Sequence, residues 1–208
     1  MVTVTEHYFS RTPSTPDRPR SLTVDLAGRS VEVTTSSGVF SPTRLDIGTQ
    51  ALLGELPAPT GGNLLDLGCG WGPLSLHAAL EARDAGTDLT VWALDVNERA
   101  LDLTRANAES LGLTGIRPVF AEDVPADLGF DMIWSNPPIR VGKDVLHGLL
   151  ETWLPRLNPG GSAWLVVAKK LGADSLLTWM RDMLGEGWDV RREANSKGFR
   201  ILVVERLG

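Results

Sequence analysis

A glycine-rich segment, Asp66-Leu67-Gly68-Cys69-Gly70-Trp71-Gly72-Pro73, follows a short apolar run and precedes a helical pattern. Glycines in such a turn allow the backbone to approach a ligand closely. Dinucleotide-binding turns use a G-x-G-x-x-G pattern and a free helix N-terminus for the pyrophosphate. Here Pro73, which has no N–H donor, stands at the third glycine position, and the carboxylate of Asp66 would repel a pyrophosphate. The segment therefore favours a cationic ligand, with a tight turn that binds nothing as the alternative.

S-adenosylmethionine is an adenosine derivative that carries a sulfonium cation, and we expect Asp66, Gly68 and Gly70 to contact it. Asp95 ends the next predicted strand, where its carboxylate can accept hydrogen bonds from both ribose hydroxyls or cap the following helix. Asp123 follows the strand after that and is placed to meet the adenine amino group, although loop acids are common.

A second segment, Ser135-Asn136-Pro137-Pro138-Ile139-Arg140, follows a fourth predicted strand. Two prolines stiffen the backbone and exclude a helix, so simple strand termination is one interpretation. The other concerns a planar nitrogen, whose delocalised lone pair attacks carbon poorly. The Asn136 side-chain oxygen and the Pro137 carbonyl can accept both N–H groups and stabilise the positive charge that develops on nitrogen. Alignment of the nitrogen with a methyl donor lowers the activation barrier further. We therefore predict that Asn136 and Pro137 are the catalytic groups.

Alternating strand and helix patterns must position these two segments. We predict strands at 63–67, 89–95, 116–123, 130–135, 162–169, 188–194 and 199–206, and helices at 73–85, 97–113, 143–157 and 173–185. Such alternation predicts a mostly parallel, doubly wound α/β sheet, in which ligands bind at the carboxyl ends of the strands. A β-hairpin at about 21–35 and a short helix near 48–55 precede it. We expect residues 1–55 to form an arm, hairpin and helix that pack on one compact unit of residues 56–208.

Composition excludes several classes of protein. A chain of 208 residues with 42% hydrophobic and 22% charged residues has an ordinary globular composition and predicts one domain. One cysteine and three histidines exclude an internal disulfide and a structural zinc site, so no metal is expected. No apolar run is long enough for a membrane span, and the N-terminus lacks a signal-peptide pattern. We therefore predict a cytoplasmic protein without a membrane partner.

The charge is unevenly distributed along the chain, which has a net charge of −6. Residues 51–150 carry 6 basic and 14 acidic groups, whereas residues 151–208 carry 9 basic and 7 acidic groups. The acidic middle favours a cationic small ligand, and an anionic macromolecule should contact the ends of the chain. The candidate phosphate contacts are Arg140 and Lys143 beside the proline loop, the arm residues Arg11, Arg18 and Arg20, and Arg191, Arg192, Lys197 and Arg200 near the last turn. For the arm and for the last turn, a solvated charged surface is the alternative.

These motifs resemble those of class I S-adenosylmethionine-dependent methyltransferases, and more narrowly the small methyltransferase domain of ribosomal RNA guanine-N2 methyltransferases. The likeness covers nearly the whole chain. It rests on His7-Tyr8-Phe9-Ser10, Gly38-Val39-Phe40-Ser41, Leu45-Asp46-Ile47-Gly48-Thr49, Leu65-Asp66-Leu67-Gly68-Cys69-Gly70, Asn107-Ala108 and Ser135-Asn136-Pro137-Pro138.

The resemblance implies a Rossmann-like, doubly wound, seven-stranded sheet with an antiparallel terminal strand and a small N-terminal β-hairpin extension. It implies that S-adenosylmethionine is the cofactor and that Asp66, Gly68, Asp95 and Asp123 contact it. Asp46, Gly48 and Thr49 should lie near the methionine end, and Asn136 should contact both the cofactor and the acceptor amine.

The implied substrate is the exocyclic amine of a guanine in ribosomal RNA, with the small subunit favoured and an assembled particle as the partner. The implied contacts are Phe40, Pro138, Ile139, Arg140 and Lys143. Ile139 stands where the family commonly has an aromatic residue, so a flipped base would need another platform, for which Phe40 is the candidate. The oligomeric state is left open.

Three other functions compete with this interpretation. A protein glutamine or an adenine amine would use the same Asn-Pro-Pro chemistry. A non-catalytic cofactor- or RNA-binding domain in ribosome assembly belongs to another class, and the intact Asn136 beside an intact glycine segment argues against it. An NAD enzyme is disfavoured by Asp66 and Pro73.

Overall fold

The computed structural model describes residues 11–12, 14–138 and 141–208. The motif of residues 7–10 and the predicted substrate contacts Ile139 and Arg140 lie outside the described residues. The strands are β1 (Arg20–Leu26), β2 (Arg29–Thr35), β3 (Gly62–Leu67), β4 (Leu89–Leu94), β5 (Ile116–Val119), β6 (Phe130–Ser135), β7 (Leu157–Ala168), β8 (Trp188–Ser196) and β9 (Phe199–Arg206). The α-helices are α1 (Ile47–Leu53), α2 (Pro73–Ala85), α3 (Glu98–Ser110), α4 (Lys143–Trp153) and α5 (Ala173–Leu184).

Seven strands form one sheet in the order β5-β4-β3-β6-β7-β9-β8. Only β9 runs antiparallel to its neighbours β7 and β8, and β1 and β2 form a separate antiparallel hairpin. The predicted doubly wound sheet, its antiparallel terminal strand and its N-terminal hairpin are therefore confirmed.

The direction of winding reverses between β3 and β6, because β4 and β5 extend the sheet to one side and β7 extends it to the other. Ligands of open α/β sheets bind at such a switch point, outside the carboxyl ends of the strands. The glycine segment follows β3 and the Asn-Pro-Pro loop follows β6, so both predicted segments lie at this point. The Ser135 hydroxyl donates to the Leu67 carbonyl at 2.6 Å and joins the ends of these two strands.

Apolar side chains cover both faces of the sheet, as expected for strands buried on both sides. The hairpin and helices α1, α2 and α3 pack on one face, around residues such as Leu64 and Trp134. Helices α4 and α5 pack on the other face, around residues such as Leu65 and Ile133. These two layers hold the carboxyl ends of β3 and β6 in place.

Two side chains of the core helices fix the N-terminal hairpin. His77 Nδ1 in α2 accepts the N–H of Ala27 at 3.1 Å, in the tight turn between β1 and β2. Asn107 in α3 accepts the N–H of Thr34 at 2.7 Å and donates to the carbonyls of Thr34 at 2.9 Å and Trp71 at 3.0 Å. Asn107 therefore joins the hairpin to the glycine segment. The division of the chain at residue 55 stays a prediction.

Several element boundaries predicted from the sequence are wrong; α3, for example, ends at Ser110 and not at residue 113. β5 ends at Val119, before a 3-10 turn over Ala121–Asp123. α4 ends at Trp153 because Pro155, which lacks an N–H, starts a 3-10 turn. Residues 158–161, which separate the predicted helix 143–157 from the predicted strand 162–169, lie instead inside β7, where the pairing of Phe130 with Leu157 is followed by that of Met132 with Ser162. Those residues form a bulge.

No helix among the described residues has both the length and the apolar character needed to cross a bilayer.

We predict that Asn107→Ala lowers the free energy of unfolding by about 1–3 kcal/mol, because it leaves the buried carbonyl of Trp71 and the backbone N–H and carbonyl of Thr34 without these partners. Urea unfolding followed by tryptophan fluorescence measures the change. Glu109→Ala, on the exposed side of the same helix, is the control and should stay within about 0.5 kcal/mol of wild type. Equal stability of the two variants would contradict the role of Asn107.

Candidate active site

The glycine segment turns over the end of β4. The N–H groups of Gly68 and Cys69 both donate to the Leu94 carbonyl, at 2.8 and 2.9 Å. Gly68 and Gly70 have φ angles of +80° and +59°, which disfavour other residues, and no atom lies within 4 Å of where a Cβ would stand. Gly72 differs, because a Cβ there would lie 3.0 Å from Thr104. The first two glycines thus face open space, and the third packs against α3.

Asp66 at the end of β3 is completely buried. Its Oδ2 accepts the backbone N–H of Ser75 at 3.0 Å and the Ser75 hydroxyl at 2.6 Å, whereas Oδ1 has no partner among the described residues. Burial raises the pKa of Asp66 to about 7, against the lowering effect of the Ser75 hydrogen bonds, and nearby Asp95 raises it further. A cation that reached this carboxyl would stabilise its charged form.

Asp95 supports the glycine segment from the end of β4. Its Oδ2 accepts the Gly70 N–H at 2.9 Å and its Oδ1 accepts the Asn97 N–H at 2.9 Å. Burial raises the pKa of Asp95, and these backbone donors oppose the rise. The N-cap of α3 is Asn97, whose side chain accepts from Arg99, so Asp95 is not the cap. Asp123 is exposed, in the turn that follows β5.

The side-chain amide of Asn136 is held by two acceptors. Its Nδ2 donates to Asp46 Oδ2 at 3.0 Å and to Thr49 Oγ1 at 3.0 Å. A carboxylate only accepts hydrogen bonds, so the NH₂ must be the end that faces Asp46. Among the described residues no donor contacts Asn136 Oδ1. The carbonyl end of the amide is therefore the one available to another molecule.

Asp46 organises this part of the site from the N-terminus of α1. Besides Asn136, its Oδ2 accepts the N–H groups of Gly48 at 2.8 Å and Thr49 at 3.2 Å. Gly48 allows the close approach, since a Cβ there would lie 2.9 Å from Asp46 Oδ2, 3.0 Å from Phe199 Cε1 and 3.4 Å from Asn136 Nδ2. The three residues predicted at the methionine end thus contact the predicted catalytic amide.

The backbone carbonyls of the two prolines after Asn136 differ in whether they accept a hydrogen bond. Pro137 is buried, and the carbonyl of Pro138 accepts the N–H of Val141 at 3.2 Å. Within the part of the chain that the structure describes, the Pro137 carbonyl has no donor. It therefore stays available beside Asn136 Oδ1 as a second acceptor.

A small, solvent-open cavity unites most of these groups. Asn136 and Thr49 stand on one side of it, and the glycine segment stands on the other. Phe40, which is 49% exposed, completes the wall. The complete lining is Phe40, Thr49, Asp66, Gly68, Cys69, Gly70, Trp71, Pro73, Leu74 and Asn136. The structure brings the two predicted segments together in one site. The predicted site residues that it describes outside the lining are Asp46, Gly48, Asp95, Asp123, Pro137, Pro138 and Lys143.

Cys69, His77 and His147 are not placed for catalysis. Cys69 is buried, and burial raises the pKa of its thiol well above the usual value, which keeps it uncharged. His77 is used by the hairpin, and His147 stacks on Trp179 with 3.6 Å between ring centroids. Among the described residues no three His, Cys, Asp or Glu side chains are grouped to hold a metal ion.

The arm crosses the carboxyl ends of β4 and β5. The N–H of Glu98 donates to the Arg11 carbonyl at 2.8 Å, and the Arg11 guanidinium pairs with Glu122 and lies 4.5 Å from the centroid of Phe120. The Arg11 side chain is exposed, as the interpretation of a solvated arm predicts, and its ion pair with Glu122 places it beyond β5.

The model of the methyltransferase small domain matches residues 30–203, which is most of the chain. This protein is a member of that family. The uncharacterized protein YbxB of Bacillus subtilis (strain 168) is 32% identical over 209 residues, which cover 98% of this chain and 100% of YbxB. The ribosomal RNA small subunit methyltransferase C of Pseudomonas aeruginosa (strain LESB58) is 35% identical over 209 residues, which cover 95% of this chain.

A solved structure has the same fold. The T. thermophilus 16S rRNA N2 methyltransferase RsmC, in complex with AdoMet and guanosine, aligns with a TM-score of 0.76 and 23% identity over 93% of this chain. The chain covers 52% of that structure and 59% of the Pseudomonas relative. It therefore spans between half and three fifths of these two methyltransferases.

Three residues of this methyltransferase site were not predicted from the sequence. Ser75 is the partner of the buried Asp66, Asn107 supports the loop at Trp71, and Phe199 lies beside Asn136. The only signal for Ser75 was its place in the first turn of the helix after the glycine segment. Phe199 follows Asn136 by 63 positions, and nothing in the local pattern pairs the two residues.

We predict that Gly48→Ala lowers the free energy of unfolding by about 1–3 kcal/mol and lowers methyltransferase activity, because the added methyl group overlaps Asp46 and displaces the Asn136 amide. Thermal unfolding and the Asn136 side-chain NH₂ signals in NMR spectra measure the two effects. Gly54→Ala at the end of the same helix is the control, since its Cβ would be 3.7 Å from the nearest atoms. Unchanged Asn136 signals in Gly48→Ala would contradict the arrangement.

The raised pKa of Asp66 predicts a pH dependence. The folded protein binds a proton at this carboxyl up to about pH 7, whereas the unfolded chain releases it near pH 3.8. The contribution of Asp66 therefore lowers the free energy of unfolding as pH rises from 5 to 8, by about 2–3 kcal/mol. Asp66→Asn removes this loss, so its stability relative to wild type should increase over the same interval in urea titrations.

Asp88→Asn, which removes an exposed carboxylate far from the cavity, is the control. Its stability relative to wild type should be constant between the two pH values. A constant difference for Asp66→Asn as well would show that Asp66 is charged throughout.

Proposed function

We propose that this methyltransferase transfers the methyl group of S-adenosylmethionine to the exocyclic amine of a guanine in ribosomal RNA, with small-subunit RNA as the favoured substrate. The observation that carries the proposal is the anchored Asn136. Its NH₂ is held by Asp46 and Thr49, so its oxygen points away from them as an acceptor beside the glycine-segment cavity.

We choose ribosomal RNA as the substrate because of the proteins to which this chain is similar. Small subunit methyltransferases C from Pseudomonas aeruginosa and Citrobacter koseri are 35% and 39% identical over the aligned regions, and RsmC of T. thermophilus was solved with guanosine. The chain spans only part of these proteins, so their substrate is carried over as a proposal. A substrate within the ribosomal particle also agrees with the cytoplasmic location predicted from the sequence.

The residues of the cavity fit S-adenosylmethionine, which RsmC also binds. Asp66 holds a buried oxygen without a partner, which a cationic group can satisfy. Gly68 and Gly70 leave open space along the backbone on the cavity side. Asp95 uses one lone pair of each oxygen on the protein backbone, so each oxygen can still accept from a ribose hydroxyl. Asp123, at the end of the next strand, is assigned to the adenine.

Bound S-adenosylmethionine supplies a methyl group on a positively charged sulfur. The protein positions the acceptor. Asn136 Oδ1 and the Pro137 carbonyl accept the two N–H groups of a planar amine, which rotates its lone pair away from them and stabilises the positive charge that develops on nitrogen. Two fixed acceptors also restrict the nitrogen to one approach direction.

Asp46 is a positioning residue in this mechanism. Without it, the Asn136 amide loses the neighbour that distinguishes its two ends, and rotation by 180° would present NH₂ donors to the substrate amine. Thr49, buried beside it, restricts the same rotation. Because Asp46 is the N-cap of α1, the orientation of the catalytic amide depends on the correct start of that helix.

Transfer of labelled methyl groups tests the proposal directly. Wild-type protein is incubated with labelled S-adenosylmethionine and with small subunits, large subunits, deproteinised rRNA or cell protein. We expect label in N2-methylguanine of small-subunit RNA. Label only in glutamine of protein, or in adenine, would replace the proposed acceptor with one of the two competing acceptors, and absence of S-adenosylmethionine binding in calorimetry would overturn the proposal.

Asn136→Ala should lower turnover by roughly 100-fold, because one of two acceptors for the developing charge is lost. Its S-adenosylmethionine affinity in calorimetry should remain within a few-fold of wild type. Asn195→Ala, an exposed asparagine on β8, is the matched control with expected normal turnover. Near-normal turnover of Asn136→Ala would remove its assigned role.

A further inference from the structure

The lysines of this chain all lie on the side of the sheet where the parallel strands have their carboxyl ends. The sequence has four, Lys143, Lys169, Lys170 and Lys197, among 20 basic residues. Lys143 begins α4 after β6, Lys169 and Lys170 follow β7, and Lys197 lies in the turn between β8 and β9. We call these four residues the lysine edge.

Lys169, Lys170 and Lys197 are neighbours because of the sheet order, and Lys143 begins its helix on the same side of the sheet. β6 and β7 are adjacent, so their carboxyl ends meet at the same edge. The start of β9 pairs with the end of β7, where Phe199 is opposite Ala168. The N–H of Lys169 donates to the Gly198 carbonyl at 3.0 Å, which places the β7 end directly against the turn that carries Lys197.

The charges of the lysine edge are available to a partner. All four lysines are exposed, and no carboxylate among the described residues lies within ion-pair distance of them. The arginines of the same hairpin differ. Arg191 pairs with Asp189, Glu193 and Glu205, and Arg192 lies 3.8 Å from Asp174. Among the described residues, the lysine edge is therefore a positive surface without ion-pair partners, on the side of the sheet where β6 and β7 end.

Phe199 adds an aromatic ring beside the acceptor amide. Its Cε1 and Asn136 Nδ2 lie 3.0 and 3.4 Å from the same point, where a Cβ on Gly48 would stand. The ring is partly exposed. The loop after Asn136 has Ile139 at its next non-proline position, so that position offers no aromatic surface to a base.

We propose that the lysine edge binds the phosphates of the RNA strand that carries the target base, and that Phe199 contacts the base itself. This inference rests on the proposed function and names the surface that the substrate uses. Lysine ammonium groups bind phosphates and release counterions, and aromatic rings stack on unpaired bases. The lysines lie on both sides of β9, in agreement with a strand whose phosphates continue on either side of a flipped nucleotide.

The first test compares two triple variants with equal loss of charge. Lys169→Gln/Lys170→Gln/Lys197→Gln alters the lysine edge, and Arg83→Gln/Arg105→Gln/Arg117→Gln alters exposed cations on α2, α3 and β5. Binding of deproteinised small-subunit rRNA is measured at several salt concentrations. For the lysine variant, the slope of log K against log salt should decrease in magnitude by about 2, and affinity near 0.1 M salt should fall by roughly 10- to 100-fold.

The arginine variant should keep the wild-type slope, and both variants should bind S-adenosylmethionine normally in calorimetry. Equal slopes for the two variants would overturn the lysine edge as the RNA surface. A lysine variant that keeps rRNA binding but loses binding to ribosomal protein would assign the surface to a protein partner instead.

The second test concerns Phe199. Phe199→Leu keeps an apolar side chain against α1 but removes the aromatic face, so KM for rRNA should rise by about 5- to 150-fold, which corresponds to the loss of one stacked base. Phe199→Tyr should restore KM. A KM unchanged in Phe199→Leu, or equally raised in Phe199→Tyr, would contradict base contact by this ring.

These outcomes distinguish an error in the assigned RNA surface from an error in the proposed function. If wild type methylates rRNA and the lysine variant does so with unchanged KM and salt slope, only the assignment of the surface is wrong. If wild type transfers methyl groups only to protein, the proposed function fails and the RNA surface fails with it.

Discussion

The hydrogen bonds between the Asn136 amide and Asp46 and Thr49 hold the site together. They join the end of β6 to the start of α1, two segments that are 90 positions apart in the sequence. Asp46 also caps α1, and Gly48 provides the space that lets the carboxylate and amide meet. Helix start, loop geometry and amide orientation thus depend on one carboxylate oxygen.

The site also contains a carboxyl group, that of Asp66, which lowers the free energy of unfolding when it is charged. Asp66 is buried with an unpartnered oxygen, and the raised pKa of about 7 is the electrostatic consequence. Natural proteins retain such groups where function requires them and stability permits. In the proposed reaction the group contributes to holding a positively charged methyl donor, so the cost in the free protein becomes affinity in the complex. Ser75 limits that cost with two hydrogen bonds to the other oxygen.

The two halves of the sheet have different electrostatic character. Asp66 lies next to the last residue of β3, Asp95 follows β4, and Asp123 lies in the turn after β5. The proposed function assigns all three to the cationic methyl donor. Lysines follow β6 and β7, and Lys197 lies in the turn before β9. The switch point between β3 and β6 separates these halves. In the proposed function, a small cationic donor and a large anionic acceptor approach one cavity from opposite sides, which reconciles an acidic protein with the proposed RNA substrate.

The sequence by itself determined the type and order of the elements, because hydrophobic period and glycine and proline positions are local properties. It also located both loops, since strand ends in a doubly wound sheet carry the ligands. Only the tertiary structure showed that Asp46 orients Asn136 and that Phe199 lies beside the same amide. It also showed that the 158–161 segment is a bulge within β7. These features depend on which strands become neighbours, and that order places distant residues together through packing of the whole sheet, which no local pattern encodes.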